Sequence, residues 1–530
     1  MSLSRIRLLA IVAALLAGFV GRAAGAVPLE IAPLFSDHMV LQREQPIRIW
    51  GTAAEGAVVK ATLANNSRQA TVKDGAWNLQ FPAMPAGGPH ELTVASDGRE
   101  RKLQDILVGD VWLAGGQSNM QLIFQQVPEL LARGDEFLDS RVRIFAVNLG
   151  ISNVPLGTVG APRPRLTNYG WKSLASKDLQ WVSILGYLFA SQYEKRTKVP
   201  VGVILSSQGS TPIETWMPLA AVRQVETDVK PVAAGAVPQV IEDKAFSKFF
   251  RANPCPPAGF YNAMIAPLVR FPIKGVLWYQ GENNSGHPMK YASLLQAMIE
   301  AWRQAWGIED LSFVIVQLTS NGKMYDSDKT QEQFAWLREQ QQTAVDRTRG
   351  AGLAITYDLG EYSDSHPHAK LAVAERMLET YFSFSTGGAK QLGPRLLSSA
   401  VEGPRFRLRF QTAGHKLVAA EVVMNKKRGL PPRTDPEAFR APAGKLTGFE
   451  ICGPDQRFVE AGATIDGRDV IVASPSVSQP SAVRYAWKDF TLANLFDDRG
   501  YPAAPFRTDS FDPPPALRDK ARPISPHISP

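Results

Sequence analysis

The stretch ILVGDVWLAGGQSNM, residues 106–120, decides the fold of this 530-residue chain. Its apolar residues up to Ala114 form short runs that are typical of strands buried on both faces of a sheet. A glycine pair then indicates a tight turn, and the amphipathic residues from Met120 to Leu131 predict a helix beyond it. Ser118 therefore lies on a strand-to-helix turn, where backbone N–H groups at the start of the helix stabilise negative charge.

Further apolar runs alternate with helical patterns along the next part of the chain. The runs that predict strands are Val201–Leu205, Gly275–Tyr279, Phe313–Val316 and Leu353–Thr356. The periodicities that predict helices cover Ile184–Lys198 and Tyr291–Trp306. Together they predict an α/β domain from about residue 106 to 395, with a mostly parallel sheet covered on both faces.

Strand patterns flank this domain on both sides. Residues 27–105 alternate apolar and polar positions, with a hairpin turn at Asp74-Gly75, and predict an N-terminal β-sandwich-like domain. The alternation returns over residues 396–511 and predicts a second β region. Residues 512–530 are rich in proline and charge without periodicity, which predicts a flexible tail.

The amino-terminal segment, residues 1–26, has the pattern of an export signal. Arg5 and Arg7 precede an apolar run from Leu8 to Val20, and small residues ending at Ala26 follow. The run is shorter than the roughly 20 apolar residues that span a bilayer. We therefore expect cleavage after Ala26 and a secreted or periplasmic protein without a membrane span.

Charge and cysteine content argue against several other classes of protein. The formal net charge is +8, but Lys and Arg are scattered and no nucleic-acid-binding motif accompanies them, so no nucleic-acid partner is expected. The two cysteines, Cys255 and Cys452, are compatible with one disulfide or with two thiols. Neither belongs to a C-x-x-C pair, which argues against a cysteine zinc site or a thiol redox centre.

A nucleophilic serine needs a base, and the chain has seven histidines. His366 follows the last predicted strand of the α/β domain, and the carboxyl ends of parallel strands converge on one crevice. It is therefore the predicted base for Ser118, with His287, beyond the strand that ends at Tyr279, as the alternative. The other interpretation of Ser118 is a helix N-cap.

The imidazole in turn needs a group that fixes its tautomer. Asp364 is closest in sequence, Asp358 and Glu361 compete with it, and some hydrolases use a backbone carbonyl instead. His366 and His368 are two residues apart, a spacing that is also compatible with a pair of metal ligands. Because no convincing third ligand accompanies them, no metal is predicted.

Two loops after strands have the features of an oxyanion hole. In Ser206–Ser210 a glycine, Gly209, lets a backbone N–H approach a substrate. Gln280, which follows the strand ending at Tyr279, carries a side-chain amide that can donate. Each loop alone also fits an ordinary glycine-bearing connection, but all the candidate stretches end strands of one predicted domain.

Taken together, GQSNM (116–120), WYQGE (278–282) and DSHP (364–367) resemble the sialate O-acetylesterase family of SGNH-type hydrolases. Further matching stretches are MVLQR (39–43), GFYNAMIAPL (259–268), VRY (483–485) and PFR (505–507). The resemblance covers nearly all of the chain after the signal. It implies a flavodoxin-like catalytic domain flanked by β domains, no metal or other cofactor, and hydrolysis of O-acetyl esters on sialic acid or related sugars.

The resemblance also implies roles for particular residues. These are Ser118 as nucleophile, His366 as base, Asp364 as orienting acid, and the N–H groups of Ser118 and Gly209 with the Gln280 amide as oxyanion hole. The wider SGNH group places its aspartate three residues before the histidine, where this chain has Ser363. Gly115 and Ser210 stand where the family commonly has serine and glycine, and Ser210 bears on the acyl or sugar preference.

The sequence is also compatible with other functions. One is the same chemistry on acetylated xylan or pectin, and another is a non-catalytic carbohydrate-binding protein with a decayed central domain. The presence of both Ser118 and His366 argues against the second. Trp216 is predicted to stack on a sugar ring of the substrate, with a buried core tryptophan as the alternative.

Overall fold

The structure is a computed structural model that describes residues 27–159, 170–226, 255–322 and 332–518. The predicted signal peptide and the last part of the predicted tail lie outside the described residues. The described chain begins with strands β1 (Glu30–Ile31), β2 (Val40–Gln42), β3 (Ile47–Thr52), β4 (Val58–Leu63), β5 (Asn66–Thr71), β6 (Ala76–Phe81), β7 (Gly87–Ser96) and β8 (Arg99–Gly116).

Strands and helices alternate in the next part of the chain, as predicted. The strands are β9 (Val142–Ala146), β10 (Lys172–Ser173), β11 (Val201–Ser207), β12 (Gly275–Tyr279), β13 (Ser312–Val316) and β14 (Ala351–Ala354). The helices are α1 (Ser118–Gln121), α2 (Pro128–Leu131), α3 (Ser176–Leu179), α4 (Ile184–Thr197), α5 (Leu219–Val225), α6 (Tyr291–Trp306), α7 (Gln333–Arg347) and α8 (Lys370–Ser385).

These strands form a large mixed sheet with the order β10-β9-β11-β8-β12-β13-β14. All neighbours from β9 to β14 run parallel, and only the short edge strand β10 is antiparallel. The mixed α/β class predicted from the sequence is confirmed.

Helices cover both faces of the sheet because side chains alternate along its strands. On one face Trp112 of β8 packs against Phe189 of α4 and Tyr381 of α8, with ring centroids 4.9 and 4.8 Å apart. On the other face Trp278 of β12 meets Trp302 of α6 at 5.8 Å. The core therefore consists of two aromatic-rich layers, one on each side of the central strands.

Strand β8 joins the amino-terminal β region to the central sheet. It runs for 18 residues, pairs antiparallel with β7 in its first part, and lies between β11 and β12 in its second part. The predicted domain boundary between residues 105 and 106 falls inside this strand, and so does Asp110, which lies between the two apolar runs of the sequence. The polar residue does not break β8 because Asp110 is buried and accepts hydrogen bonds from Arg43 Nε and Tyr193 Oη, each at 2.9 Å.

Three local predictions differ in detail from the structure. The helix expected from Met120 to Leu131 is divided between α1 and α2, since the chain is extended at Leu122 and Pro128 begins a new turn. The hairpin turn at Asp74-Gly75 is present and is closed by the antiparallel bridge between Lys73 and Ala76, but beyond it β5 and β6 pair with β4 and β3. The predicted flexible tail begins with α9 (Pro515–Arg518), whose Leu517 is buried against two tryptophans.

The second β region follows α8. Its strands are β15 (Arg395–Glu402), β16 (Arg405–Gln411), β17 (Leu417–Ala419), β18 (Val422–Met424), β19 (Phe439–Ala441), β20 (Phe449–Cys452), β21 (Val459–Glu460), β22 (Gly462–Asp466), β23 (Asp469–Ala473), β24 (Ala482–Tyr485), β25 (Leu495–Asp497) and β26 (Phe506–Arg507). All of them pair antiparallel. Among the described residues, no helix combines the length and apolarity that crossing a bilayer requires.

Candidate active site

Ser118 lies on the turn that connects β8 to α1. The turn begins at Gly116, whose φ of +128° and close approach to Tyr279 leave no room for a side chain, because an added Cβ would lie 2.2 Å from the Tyr279 carbonyl oxygen. Ser118 is the first residue of α1 and its side chain is half-buried. The N–H groups of Ser118 and Asn119 belong to the first helical turn and therefore have no acceptor within the helix.

Gly209, at the end of β11, lies directly beside the serine. A Cβ added to Gly209 would be 3.2 Å from Ser118 Cβ, so glycine allows the two backbones to approach. The Gly209 N–H donates to Gln121 Oε1 at 2.8 Å, and Gln121 is exposed. The structure thus places one predicted oxyanion donor next to Ser118, and the exposed amide of Gln121 accepts its hydrogen bond.

Gln280 is close to the same turn but fully buried beneath it. Its Nε2 lies within hydrogen-bond distance of Gln117 Oε1 at 3.2 Å, the Thr211 carbonyl at 3.0 Å and Asn284 Oδ1 at 2.7 Å. Its Oε1 accepts from Tyr291 Oη at 2.8 Å. Gln280 therefore lies next to the turn that carries Ser118, but its side-chain amide is not exposed at the surface of the site.

His366 and Asp364 lie together on the loop before α8. His366 Nδ1 is 3.5 Å from Asp364 Oδ1, which also accepts the His366 backbone N–H at 2.8 Å. The second oxygen of Asp364 lies 3.0 Å from Nε of Arg428, a residue of the second β region. Burial works to raise the pKa of Asp364, but the hydrogen bonds from His366 and the charge of Arg428 hold that pKa below its usual range.

The two competing carboxylates are occupied elsewhere. Asp358 forms a bidentate ion pair with Arg376, with N···O distances of 2.5 and 2.7 Å. Glu361 Oε1 accepts the backbone N–H of His368 at 2.9 Å, and burial raises the pKa of Glu361. Of the three acids considered, only Asp364 is placed beside the His366 ring.

A buried polar network joins the serine turn to the histidine loop. Asn119 Nδ2 donates to the Ser365 carbonyl at 2.9 Å and to Glu282 Oε1 at 2.6 Å. Asn119 Oδ1 accepts from Lys370 Nζ, also at 2.6 Å. The side-chain amide of Asn119, the residue after Ser118, thus binds the backbone of Ser365, the residue before His366.

Lys370, the first residue of α8, is fully buried in this network. Burial lowers the pKa of its ammonium group to about 8, although the carboxylates of Glu282, Glu361 and Asp364 act in the opposite direction. Burial likewise raises the pKa of Glu282, against the hydrogen bond from Asn119. Sequence reasoning missed this network, although Asn119, Glu282 and Lys370 lie in or just after the motifs that identified the site.

Known proteins resemble this chain over most of its length. A crystal structure of a carbohydrate acetylesterase from Xanthomonas citri is 32% identical with a TM-score of 0.75, covering 91% of this chain and 100% of that one. The sialate O-acetylesterase of Rattus norvegicus is 30% identical over 407 residues, which is 68% of this chain and 73% of that protein. The human sialate O-acetylesterase is 28% identical over 386 residues, 67% of this chain and 71% of that protein. The chain belongs to the sialate O-acetylesterase family.

The family model described as carbohydrate esterase, sialic acid-specific acetylesterase, matches residues 172–382. That range contains Gly209, Gln280, Asp364 and His366 and begins after Ser118. The sequence-based prediction of this family, and of a carbohydrate O-acetylesterase, is confirmed at the level of the family.

The predicted sugar contact of Trp216 needs correction in this sialate O-acetylesterase family member. Trp216 is fully buried, stacks on Phe260 with ring centroids 5.1 Å apart, and donates from Nε1 to Thr211 Oγ1 at 2.9 Å. Both the ring and its polar atom are occupied inside the protein. Trp216 is therefore a core residue under the site and offers no face to a sugar.

The other candidate residues have partners of their own. His368 Nδ1 lies 2.9 Å from Glu129 Oε1, and within the described part of the chain no three His, Cys, Asp or Glu side chains are grouped as metal ligands would be. The alternative base, His287, lies before α6, and its backbone N–H donates to the Asn284 carbonyl at 2.9 Å. Cys255 and Cys452 are buried and not bonded to each other.

Proposed function

We propose that this chain hydrolyses O-acetyl esters of carbohydrates through an acetyl-enzyme formed on Ser118. The observation that carries the proposal is the Asn119 amide, which ties the turn of Ser118 to the loop of His366 and Asp364. A half-buried serine, an adjacent glycine N–H and a histidine paired with a carboxylate are the groups that acyl transfer requires.

The reaction begins when Ser118 Oγ attacks the acetyl carbonyl while His366 takes the hydroxyl proton. The tetrahedral intermediate collapses as the C–O bond to the sugar breaks, and His366 returns the proton to the departing sugar oxygen. Water then attacks the acetyl-enzyme while His366 accepts one of its protons. Acetic acid leaves as that proton passes back to Ser118 Oγ, which restores the enzyme, and the acid then ionises to acetate in water.

Asp364 orients His366 and balances its charge in this scheme. Its contact with Nδ1 directs Nε2, the other ring nitrogen, away from the loop, and its low pKa keeps the carboxylate ionised at neutral pH. Arg428 supports that ionised state from the second β region.

The proposed oxyanion hole consists of the N–H groups of Ser118 and Gly209 with the Gln280 amide. The position of Gly209 supports the second donor, provided that the exposed side chain of Gln121 turns away when substrate binds. Gln280 requires a larger change, because its Nε2 has to exchange an existing bond for the oxyanion. We therefore expect the two backbone groups to supply most of the stabilisation.

The strand order supports an SGNH-type, flavodoxin-like catalytic unit. The five strands β11-β8-β12-β13-β14 follow the flavodoxin-like order 2-1-3-4-5 when β9, which pairs parallel with β11 on its outer side, is left out of the numbering. With β9 included, the six parallel strands follow the order 2-3-1-4-5-6. In such sheets ligands bind beyond the carboxyl ends of the strands. Ser118, Gly209 and Gln280 all follow strand ends of that kind. Export by the segment at residues 1–26 remains part of the proposal.

Removing the nucleophile tests the chemistry. Ser118→Ala is expected to lower kcat for acetate release from p-nitrophenyl acetate by at least about a thousandfold. Ser399→Ala, at an exposed serine on β15 of the second β region, is the matched serine control. Undiminished turnover by Ser118→Ala would overturn the mechanism.

A comparison of natural esters tests the substrate class. Acetate release from 9-O-acetylated sialic acid, acetylxylan and acetylated pectin is measured side by side with the wild-type protein. A preference for the sialate of at least about tenfold in kcat/KM, equivalent to 1.4 kcal/mol, would support a sialate enzyme. Equal rates on all three would support a general deacetylase of carbohydrates.

A further inference from the structure

One tryptophan stands apart from the buried aromatic residues. Trp181 exposes 43% of its surface, whereas the other large apolar side chains exposed among the described residues are aliphatic. Its neighbour Val182 is buried, so the chain directs the two side chains in opposite directions. The indole therefore faces outward from a well-packed segment.

That segment is fixed to the chain that leaves the nucleophile turn. Residues 180–184 lie antiparallel to residues 120–125. The hydrogen bonds between them are Ser183 Oγ to the Met120 carbonyl (2.6 Å), Ile184 N to the Leu122 carbonyl (2.9 Å), Phe124 N to the Val182 carbonyl (3.2 Å) and Gln125 N to the Gln180 carbonyl (3.0 Å). The position of Trp181 relative to Ser118 is therefore set by a short, rigid connection.

The topology places Trp181 on the same edge of the sheet as Ser118. Helix α4 begins at Ile184 and leads to the start of β11 at Val201, so its first turn lies near the carboxyl ends of the parallel strands. Ser118 follows the carboxyl end of β8. The exposed indole and the nucleophile thus share the edge at which ligands of such sheets bind.

We propose that Trp181 forms a sugar subsite, in which its indole stacks on a pyranose ring of the acetylated carbohydrate. The C–H face of a sugar ring is apolar and meets the electron-rich indole face, while polar groups beside it bind the hydroxyls. The exposed side-chain amides of Gln121, at the end of α1, and Gln125, in a 3₁₀ turn, belong to the segment that pairs with the chain around Trp181 and supply such groups. This inference rests on the proposed function and names the group that recognises the sugar part of the ester.

The test separates sugar recognition from ester chemistry. For Trp181→Ala, kcat/KM is measured on p-nitrophenyl acetate, which has no sugar, and on an acetylated xylo-oligosaccharide and 9-O-acetylated sialic acid. The ratio of kcat/KM on the better saccharide to that on p-nitrophenyl acetate is expected to fall about tenfold, the effect of losing one aromatic contact. Trp181→Phe keeps a ring and is expected to retain most of the ratio.

Leu397→Ala is the matched control, because Leu397 is exposed to 65% on β15 of the second β region. It is expected to leave the ratio at the wild-type value. A wild-type ratio in Trp181→Ala would overturn the subsite.

Binding without turnover distinguishes failure of the subsite from failure of the mechanism. The xylo-oligosaccharide is titrated calorimetrically into Ser118→Ala and into Ser118→Ala/Trp181→Ala. About tenfold weaker binding by the double variant would support the subsite, whether or not the wild-type protein releases acetate. Absence of acetate release by the wild-type protein would refute only the proposed chemistry. Equal affinity of the two variants would overturn the subsite whatever the catalytic result.

Discussion

At the scale of single residues, two buried aspartates close in sequence differ in what they hold. Asp364 contacts the His366 ring and Arg428, whereas Asp358 is paired with Arg376. One carboxylate therefore acts on the proposed base, and the other links a 3₁₀ turn to α8. We therefore expect a substitution at Asp364 to affect catalysis and a substitution at Asp358 to affect stability.

Asp364→Asn is expected to lower kcat by roughly a hundredfold or more while the protein stays folded, because an amide does not balance the imidazolium. Asp358→Asn is expected to lower the free energy of unfolding by about 3 kcal/mol, since it leaves the Arg376 charge buried and unpaired. Its kcat should stay near the wild-type value. Urea unfolding curves and steady-state kinetics of both variants check the pair, and the reverse pattern would assign the orienting role to Asp358.

Lys370 predicts a pH dependence of the site. Its pKa of about 8 means that the ammonium is charged below pH 8 and becomes neutral above it. The neutral amine still donates to Asn119, but a hydrogen bond from a charged donor is about twice as strong, so the link between the two loops weakens. We expect kcat/KM to fall severalfold as the pH rises from about 7 to 9.5.

The measurement is a kcat/KM profile of wild type and Lys370→Arg, corrected for the enzyme-free rate. An arginine keeps its charge over this range, so the alkaline decrease should disappear in any active Lys370→Arg protein. Lys370→Gln, which lacks the charge, should show the reduced kcat/KM throughout. An unchanged alkaline decrease in Lys370→Arg would assign it to another group.

At the scale of elements, the strand-to-helix turn before Ser118 depends on one glycine of the Gly115-Gly116 pair. Gly116 has a positive φ and lies against the backbone of β12, whereas the atoms nearest to a Cβ on Gly115 would be those of the Trp278 ring at 3.3 Å and the Ser206 carbonyl oxygen at 3.6 Å. Gly116→Ala should therefore lower the free energy of unfolding by about 2 kcal/mol or more, and Gly115→Ala by less than about 1 kcal/mol. Chemical denaturation of both variants gives the comparison, and equal losses would contradict the role of the backbone contact.

Long elements with a clear period could be predicted from the sequence. Helices α4 and α6 and strand β12 agree with the predicted residues to within one position, because their apolar spacing reflects burial that the structure retains. The pairing of β5 and β6 could not be predicted, since a local pattern indicates a strand without showing its partner. The continuity of β8 across the predicted boundary did not follow from the sequence, because Arg43 and Tyr193, the partners of its buried Asp110, are distant in the chain.

The candidate site could be predicted in part for the same reason. Strand ends placed Ser118, Gly209 and Gln280 near one another, and the structure brings their backbones together. The exposure of side chains did not follow from sequence, because Trp216 and Gln280 are covered by residues from several elements. The contribution of Arg428 was likewise invisible, since it comes from the second β region.

At the scale of the whole molecule, the amino-terminal β region and the central sheet are expected to unfold together. Deleting residues 27–105 removes the antiparallel partner of β8 and exposes its buried residues, so a protein starting at Ile106 should be insoluble or unfolded. Calorimetry of the wild type should show one transition for both parts. Hydrogen exchange should give similar opening free energies for Leu103 and Leu113, on either side of the predicted boundary.

A folded and active protein starting at Ile106, or a separate early transition of the amino-terminal strands, would contradict this expectation. The matched deletion removes residues 519–530, which lie beyond α9, and should leave the transition temperature near the wild-type value.

The shared strand also constrains how this protein can change by descent. Two modules joined by a linker can be exchanged between genes, but here any recombination within residues 99–116 has to preserve both the length of β8 and the register that sets Gly116 beside Ser207 and Tyr279. A shift of one residue would turn every following side chain, including those before Ser118, to the opposite face. Insertions should therefore accumulate in the loops outside β8, and the amino-terminal strands and the central sheet should be inherited as one unit.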